Sequence, residues 1–235
     1  MTLTGPNEIR SVAPGLWEGF EAWIFDLDNT LYPAECNLFD QVDRRMAAFI
    51  AKRFGLEAEQ ARRIQKRYFR EYGTTLRGLM SEHEIDADEY LAFVHDIDVS
   101  AVPPDPVLAR AVSRLPGRKF IHTNASTDYA EKILDRLGLA GLFDGIFDIR
   151  DAGFAPKPDR SGYQKLVDRY GIDPARAVMV EDIARNLIPA AELGMTTVWR
   201  PTATDWSGDG ADERFIDHVI DDLADWLAGL VGAMR

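Results

Sequence analysis

The sequence predicts an α/β fold, a Rossmann-like parallel sheet core that carries an inserted all-helical cap domain. Three observations lead there. Short, continuous apolar runs recur along the chain and end in polar residues, as strands buried on both faces do. Helical stripes lie between those runs, the alternation of a parallel sheet with helices on both faces. Residues 35–100 break the rhythm with helical patterning alone, so they read as an insertion between residues 1–34 and residues 101–235 of the core.

The elements follow in chain order. Ala22-Trp23-Ile24-Phe25 is the first strand and runs directly into Asp26-Leu27-Asp28. Within the insertion, Phe39, Val42, Met46, Phe49 and Ile50 fall on one helical face, and Ala61, Ile64, Tyr68 and Tyr72 on a second. Leu91, Val94 and Ile97 suggest a third helix, and Tyr72–Gly78 reads as a turn between helices. Pro103-Pro104-Asp105-Pro106 marks the return to the core. The second strand is Lys119-Phe120-Ile121-His122, and alternation turns His122 to the packing face, away from its neighbours. Tyr129, Ile133, Leu134 and Leu137 form a helix with an Asp128/Glu131 capping box and a Gly138 stop. Tyr163, Leu166, Val167 and Tyr170 form the next, closed by Gly171. Ala177-Val178-Met179-Val180, Thr196-Thr197-Val198-Trp199 and His218-Val219-Ile220 are further strands, and residues 201–214 read as a surface loop.

Composition narrows the function. Of 235 residues 46% are hydrophobic, enough for a sizeable core. There are 27 Lys+Arg against 39 Asp+Glu, and a net charge of −12 argues against a nucleic acid polymer or an anionic membrane as partner. Cys36 is the single cysteine, which excludes an intrachain disulfide and a Cys-rich metal site; without a base partner it reads as inert. The polar Met1–Phe20 stretch shows no apolar signal core, and no run is long enough for a membrane span, so the expectation is a cytoplasmic protein, monomer or homodimer. Trp17, Trp206 and Trp226 suit either surface or core.

Ligands in open α/β sheets bind beyond the carboxyl ends of the strands, so the polar residues there are the candidates. Asp26 and Asp28, two apart after a buried strand, make a concentrated negative site suited to a hard cation, and supply a nucleophile and an acid/base. Thr123 and Asn124 offer a hydroxyl and an amide for phosphate oxygens. Lys157, between Pro156 and Pro158, is a cation in a stiffened loop. Glu181 and Asp182 end a strand, and Asn186 stands where it can orient a metal-bound water or an acidic side chain. Each set alone also suits a helix cap, a solvated turn or an exposed lysine. Their joint placement at strand ends of one sheet is what points to chemistry.

The order of these sets resembles the haloacid dehalogenase-like (HAD) hydrolase superfamily over nearly the whole chain. Asp26-Leu27-Asp28-Asn29-Thr30-Leu31-Tyr32-Pro33 resembles its first motif, Thr123 its second, Lys157 its third, and Glu181-Asp182 with Asn186 its fourth. The resemblance implies Asp26 as a nucleophile forming an aspartyl-phosphate, and Asp28 as acid and then base. It implies Mg2+ on the Asp26 carboxylate, the Asp28 backbone carbonyl and the Asp182 carboxylate, with Glu181 and Asn186 supporting metal-bound waters. Thr123, Asn124 and Lys157 would bind the phosphoryl group.

Asp28 favours phosphoryl transfer over dehalogenation, because a halide leaving group needs no proton. The cap lysine of phosphonate cleavage would have to be Lys52 or Lys66, and both fall on solvated helix faces. Asp28–Pro33 and Tyr72–Leu79 resemble the pyrimidine 5′-nucleotidase-like branch, which implies a nucleoside monophosphate as the small-molecule phosphomonoester substrate. In that reading Tyr72 stacks on the base while Thr74, Thr75 or Arg77 bonds base or ribose; the alternative keeps Tyr72 in the cap core. The competing functions are a broad-specificity or sugar phosphatase or phosphomutase of the same superfamily, and a non-catalytic phosphate-ligand binding module.

Overall fold

The computed structural model describes residues 16–233; most of the polar N-terminal stretch read above lies outside the described residues. Six strands form one parallel sheet: β1 (Ala22–Phe25), β2 (Arg118–His122), β3 (Gly145–Phe147), β4 (Ala177–Glu181), β5 (Thr196–Trp199) and β6 (His218–Val219). Their order is β3-β2-β1-β4-β5-β6. The chain builds outward from β1 through β2 to β3, then returns to β4 on the other side of β1. The switch point of this Rossmann-like fold therefore lies between β1 and β4, where Phe25 is in register with Val180.

Alternation along the strands sorts the core into two layers. Trp23, Phe25, Val178 and Val180 face α5 (Pro106–Arg114), α6 (Thr127–Leu137) and α9 (Leu223–Ala233). Ala22, Ile24, Ala177 and Met179 face α7 (Arg160–Tyr170) and α8 (Ala184–Leu193). Burial on both faces is why β1 and β4 read as unbroken apolar runs. β3 was not expected. It has three residues, opens with Gly145 and pairs only with β2 at the sheet edge, so it offers no apolar run to read.

The insertion holds four helices where the sequence suggested three: α1 (Leu38–Phe54), α2 (Ala58–Tyr72), α3 (Thr75–His83) and α4 (Ala87–Val94). They pack around Phe49, Ile50, Tyr68, Leu79, Tyr90 and Val94. The Tyr72–Gly78 segment is thus a turn only as far as Thr74, whose hydroxyl accepts from the Arg77 N–H and caps α3. Gly78 sits against Tyr68, and a Cβ there would come within 2.5 Å of that ring. Ile97 lies past the end of α4 and packs on the core layer instead. The Asp128/Glu131 capping box does not form. Ser126 is the N-cap of α6, and the Thr127 N–H and hydroxyl both donate to Asp148.

Trp17 is buried and Trp226 half-buried, whereas Trp206 is exposed. Lys52 and Lys66 are exposed, as expected of solvated faces. Among the described residues, no helix is long and apolar enough to cross a membrane.

Candidate active site

The carboxyl ends of β1, β2 and β4 bring the candidate residues together. Asp26 follows β1 and is buried; Thr30 donates from its hydroxyl to Oδ2 at 3.0 Å, a bond across one turn of chain. That turn passes through Asn29 in the left-handed region (φ 61°), which asparagine tolerates better than most residues. Arg200 donates to the Asn29 carbonyl and holds the turn from β5.

Lys157 enters from its loop and is buried among acceptors. Its Nζ lies 2.5 Å from Asp26 Oδ1, 2.7 Å from Glu181 Oε1 and 3.0 Å from the His122 carbonyl. Asn124 accepts the Lys157 backbone N–H at 2.8 Å, so the amide expected to touch phosphate positions the lysine loop. Burial alone would lower the ammonium's pKa, but Asp26 and Glu181 outweigh it and hold Lys157 above its ordinary range. Lys157 is therefore a fixed cation.

Glu181 is fully engaged. Oε1 accepts from Lys157 and, at 2.7 Å, from Asn186 Nδ2, while Oε2 accepts the Ile183 N–H at 2.8 Å. Of the two roles open to Asn186, the structure shows it orienting an acidic side chain. Tyr163 donates to the Asn186 carbonyl at 2.6 Å and fixes the start of α8.

Asp182 stands differently. It is buried, and its Oδ2 has no hydrogen-bond partner. Its backbone carbonyl accepts from both Trp199 Nε1 at 2.9 Å and Ser207 Oγ at 2.6 Å. The 201–214 segment has no helix or strand, as expected, but it is more than surface: Ser207 is buried and Arg185 N–H bonds Asp209. Burial, then Glu181 and Asp26, push the Asp182 carboxyl up to about 10. Burial likewise raises Asp26 to about 7, with Lys157 opposing it. Oxygens of Asp26, Glu181 and Asp182 lie within 4.8 Å of one another. Hard carboxylate oxygens held this close, with Asp182 Oδ2 left without a hydrogen-bond partner, fit a divalent cation such as Mg2+.

Asp28 Oδ1 accepts from the Tyr32 hydroxyl and, at 2.9 Å, from the Tyr129 hydroxyl. Sequence reasoning gave neither tyrosine a role. Tyr129 reads as a core residue on α6, yet its ring stacks on His95 (centroids 4.7 Å apart) while its hydroxyl reaches the site. Burial raises the Asp28 carboxyl above its ordinary value, against the two tyrosine hydrogen bonds. Thr123 is buried, with its hydroxyl accepting the Ala125 N–H at 2.9 Å. His122 packs edge-on against Phe147 and Tyr163, and burial keeps it neutral, in line with a packing role. The half-buried Cys36 thiol is raised by burial and then by Glu35, which suits the inert reading.

Beside Lys157 lies a cleft of about 440 Å³ between the insertion and the core, lined on the insertion side by Phe69, Arg70, Tyr72, Gly73 and Arg77. Tyr72 and Arg77 therefore reach it, while Tyr72 also packs against the insertion's core and donates its hydroxyl to Glu82 at 2.8 Å. Thr75 does not: it is buried, and its hydroxyl donates to the Gln65 carbonyl. Thr74 caps α3 and is not among the lining residues.

A family model described as haloacid dehalogenase-like hydrolase matches residues 20–194. Phosphate metabolism protein 8 of Saccharomyces cerevisiae is 26% identical over 195 residues, which cover 74% of this chain and 60% of that protein. The ribulose-1,5-bisphosphate 5-phosphatase of Halopiger xanaduensis is 28% identical over 238 residues, covering 87% and 96%. Enolase-phosphatase E1 of Frankia alni is 42% identical over 60 residues, 26% of this chain and 25% of that one. The match thus spans 60% of the yeast relative's length and a quarter of the enolase-phosphatase's. Among solved structures, a HAD phosphatase from Thermococcus onnurineus superposes with a TM-score of 0.59 at 21% identity, over 92% of this chain and 100% of that one. The L-2-haloacid dehalogenase of Xanthobacter autotrophicus gives 0.55 at 18%, with the same coverage. At these identities the structural likeness speaks to the fold alone. The family match extends over Asp26, Asp28, Thr123, Asn124, Lys157, Glu181, Asp182 and Asn186, and on that ground the chain belongs to the haloacid dehalogenase-like hydrolases.

Proposed function

We propose that this chain is a Mg2+-dependent phosphomonoesterase acting through an aspartyl-phosphate on Asp26, with residues 35–100 as a cap over a core of 1–34 and 101–235. The observation that carries the proposal is the buried Asp26–Lys157–Glu181 arrangement beside the Asp182 carboxyl, whose Oδ2 has no hydrogen-bond partner. A phosphate dianion approaches a carboxylate only where charge is cancelled, and phosphoryl transfer depends mainly on positioning and electrostatic stabilisation. Asp26 and Asp182, with the Asp28 backbone carbonyl, would hold the metal, which supplies positive charge for the phosphoryl oxygens when bound. Lys157 supplies the second, fixed cation. Asp26 attacks phosphorus, the ester oxygen leaves with a proton from Asp28, and Asp28 then takes a proton from the water that hydrolyses the acyl phosphate. Thr30 and Lys157 orient the nucleophile, Asn124 positions Lys157, and Thr123 stands ready for the phosphoryl oxygens. Glu181 and Asn186 order the loop and the lysine.

Two substrate classes suit this chemistry. The 5′-nucleotidase-like reading draws on the Asp28–Pro33 and Tyr72–Leu79 segments and on the Tyr72 and Phe69 rings lining the cleft, which offer faces for a base. A sugar-phosphate reading draws on the relative named ribulose-1,5-bisphosphate 5-phosphatase. Phosphate release with Mg2+ tests both, from purine and pyrimidine 5′-monophosphates, sugar phosphates, pyridoxal phosphate and an aryl phosphate, with Asp26→Asn as control. Preference for pyrimidine monophosphates supports the first class, and activity across the panel discards it. If nothing in the panel is turned over in an Asp26-dependent way, the non-catalytic binding module takes its place.

A further inference from the structure

The cleft beside Lys157 has an unusual charge. Its lining includes Arg70, Arg77, Arg185 and Lys157, against the single carboxylate of Asp159. Lys157 is already matched by Asp26 and Glu181. Asp159 is partly spent as well: its Oδ1 caps α7 by accepting from Ser161, and its Oδ2 is 3.9 Å from Arg77. Arg185 reaches Asp209 only at 3.7 Å, and its buried Nε has no hydrogen-bond partner. Arg70 donates its Nε to the Lys66 carbonyl, a neutral acceptor. Arg77 and Arg185 thus have only long contacts to one carboxylate each, and Arg70 has no carboxylate partner among the described residues, in a chain whose net charge is −12.

Guanidinium groups donate hydrogen bonds and accept none, and their fork geometry fits carboxylate and phosphate oxygens. The surplus is far from random on an acidic surface. It lines the same cleft as the Pro156–Asp159 loop, whose Lys157 side chain reaches Asp26. We propose that the preferred substrates carry a second anionic group, a carboxylate or a second phosphate, recognised by Arg70, Arg77 and Arg185. This rests on the phosphomonoesterase reading and narrows it to doubly anionic phosphomonoesters, which a simple nucleoside monophosphate is not.

The test compares paired substrates that differ in that group: 3-phosphoglycerate with glycerol 3-phosphate, and fructose 1,6-bisphosphate with fructose 6-phosphate. In the wild-type enzyme the doubly anionic member of at least one pair should have the higher kcat/KM by about tenfold or more, as a charge-assisted hydrogen bond gives. The pair that shows it distinguishes carboxylate from phosphate. In an Arg70→Gln, Arg77→Gln, Arg185→Gln triple variant the ratio should fall toward one, and added salt should lower it in the wild type. Ratios near one, or in favour of the singly anionic member, with Asp26-dependent turnover intact, overturn the inference alone. Absence of Asp26-dependent turnover of these four compounds and of the whole phosphomonoester panel above overturns the phosphomonoesterase reading instead. Calorimetric binding of the same pairs to the Asp26→Asn variant still judges the cleft in that case: equal affinities reject it, and tighter binding of the doubly anionic member supports it.

Discussion

Replacing Asp182 by asparagine should make the metal-free protein more stable while abolishing its response to Mg2+. The reasoning starts from a buried carboxyl whose Oδ2 has no partner and whose pKa burial, Glu181 and Asp26 push from 3.8 to about 10. An acid raised in the folded state binds its proton more tightly there than in the unfolded chain. Its stabilising contribution is complete below 3.8 and drains away as pH climbs toward about 10. Each pH unit within that window is worth about 1.4 kcal/mol, so by neutral pH the loss approaches about 4 kcal/mol as an upper bound. Asparagine has the shape of the neutral acid and does not titrate. In EDTA at pH 7.5 the variant should therefore melt several degrees above wild type, at about 2–4 °C per kcal/mol for a chain of this size, and the gap should close near pH 4. With Mg2+ at about a hundred times its Kd, wild type should recover about 2.7 kcal/mol and the variant far less. Scanning calorimetry across pH, with EDTA or Mg2+, measures all of this. A variant less stable than wild type in EDTA, or a gap indifferent to pH, would refute the argument that Asp182 is held for a cation.

Other consequences are equally open to measurement. The Tyr32→Phe, Tyr129→Phe double variant removes both donors to Asp28, each worth about 1.5–3 kcal/mol to a charged acceptor. Its kcat/KM should fall at least about tenfold for an alkyl phosphate and much less for an aryl phosphate, whose leaving group needs no proton; equal losses would remove Asp28 from proton transfer. Lys157→Met leaves Asp26 and Glu181 buried without their cation and should lower stability at pH 7.5 by about 3–5 kcal/mol in urea unfolding. That deficit should shrink toward pH 5 as the Asp26 carboxyl, raised to about 7, takes up its proton, and Lys157 itself, raised above 10.5, gives its full contribution throughout this range. Gly78→Ala drives a Cβ to 2.5 Å from Tyr68 and should destabilise the α2–α3 packing by about 1–3 kcal/mol; an unchanged melting curve would show that Tyr68 can move aside.

What could be read in the sequence, and what could not, divides on physical lines. β1 and β4 were legible because both their faces are buried, so every residue is apolar until the strand ends at a carboxylate. Asp26 and Glu181 were legible as neighbours for the same reason, since parallel strands deliver their polar ends to one edge, whereas Lys157 arrives on a loop and Asn186 on α8. β3 was hidden by its shortness, and α3 by Gly73 and Thr74, which do make a turn but also cap a new helix. Gly78 weakens the helical signal because Tyr68 requires the space. The Tyr129 contact to Asp28 joins residues 101 positions apart, and only the packing of α6 against β1 creates it. The same holds for Ser207, which looks like loop polarity and yet supports the Asp182 carbonyl.

The indole that grips that carbonyl has a use of its own. Trp199 Nε1 donates to Asp182, the residue whose side chain would receive a cation, and the ring is half-buried at the end of β5. Indole emission responds to the electric field and hydrogen bonding at its nitrogen. Loading the site with metal changes both, through a single peptide group. On the Mg2+ reading proposed above, this indole would serve as an optical gauge of metal occupancy, and titrating Mg2+ while following tryptophan emission, with Trp199→Phe as the blank, would read it without any substrate.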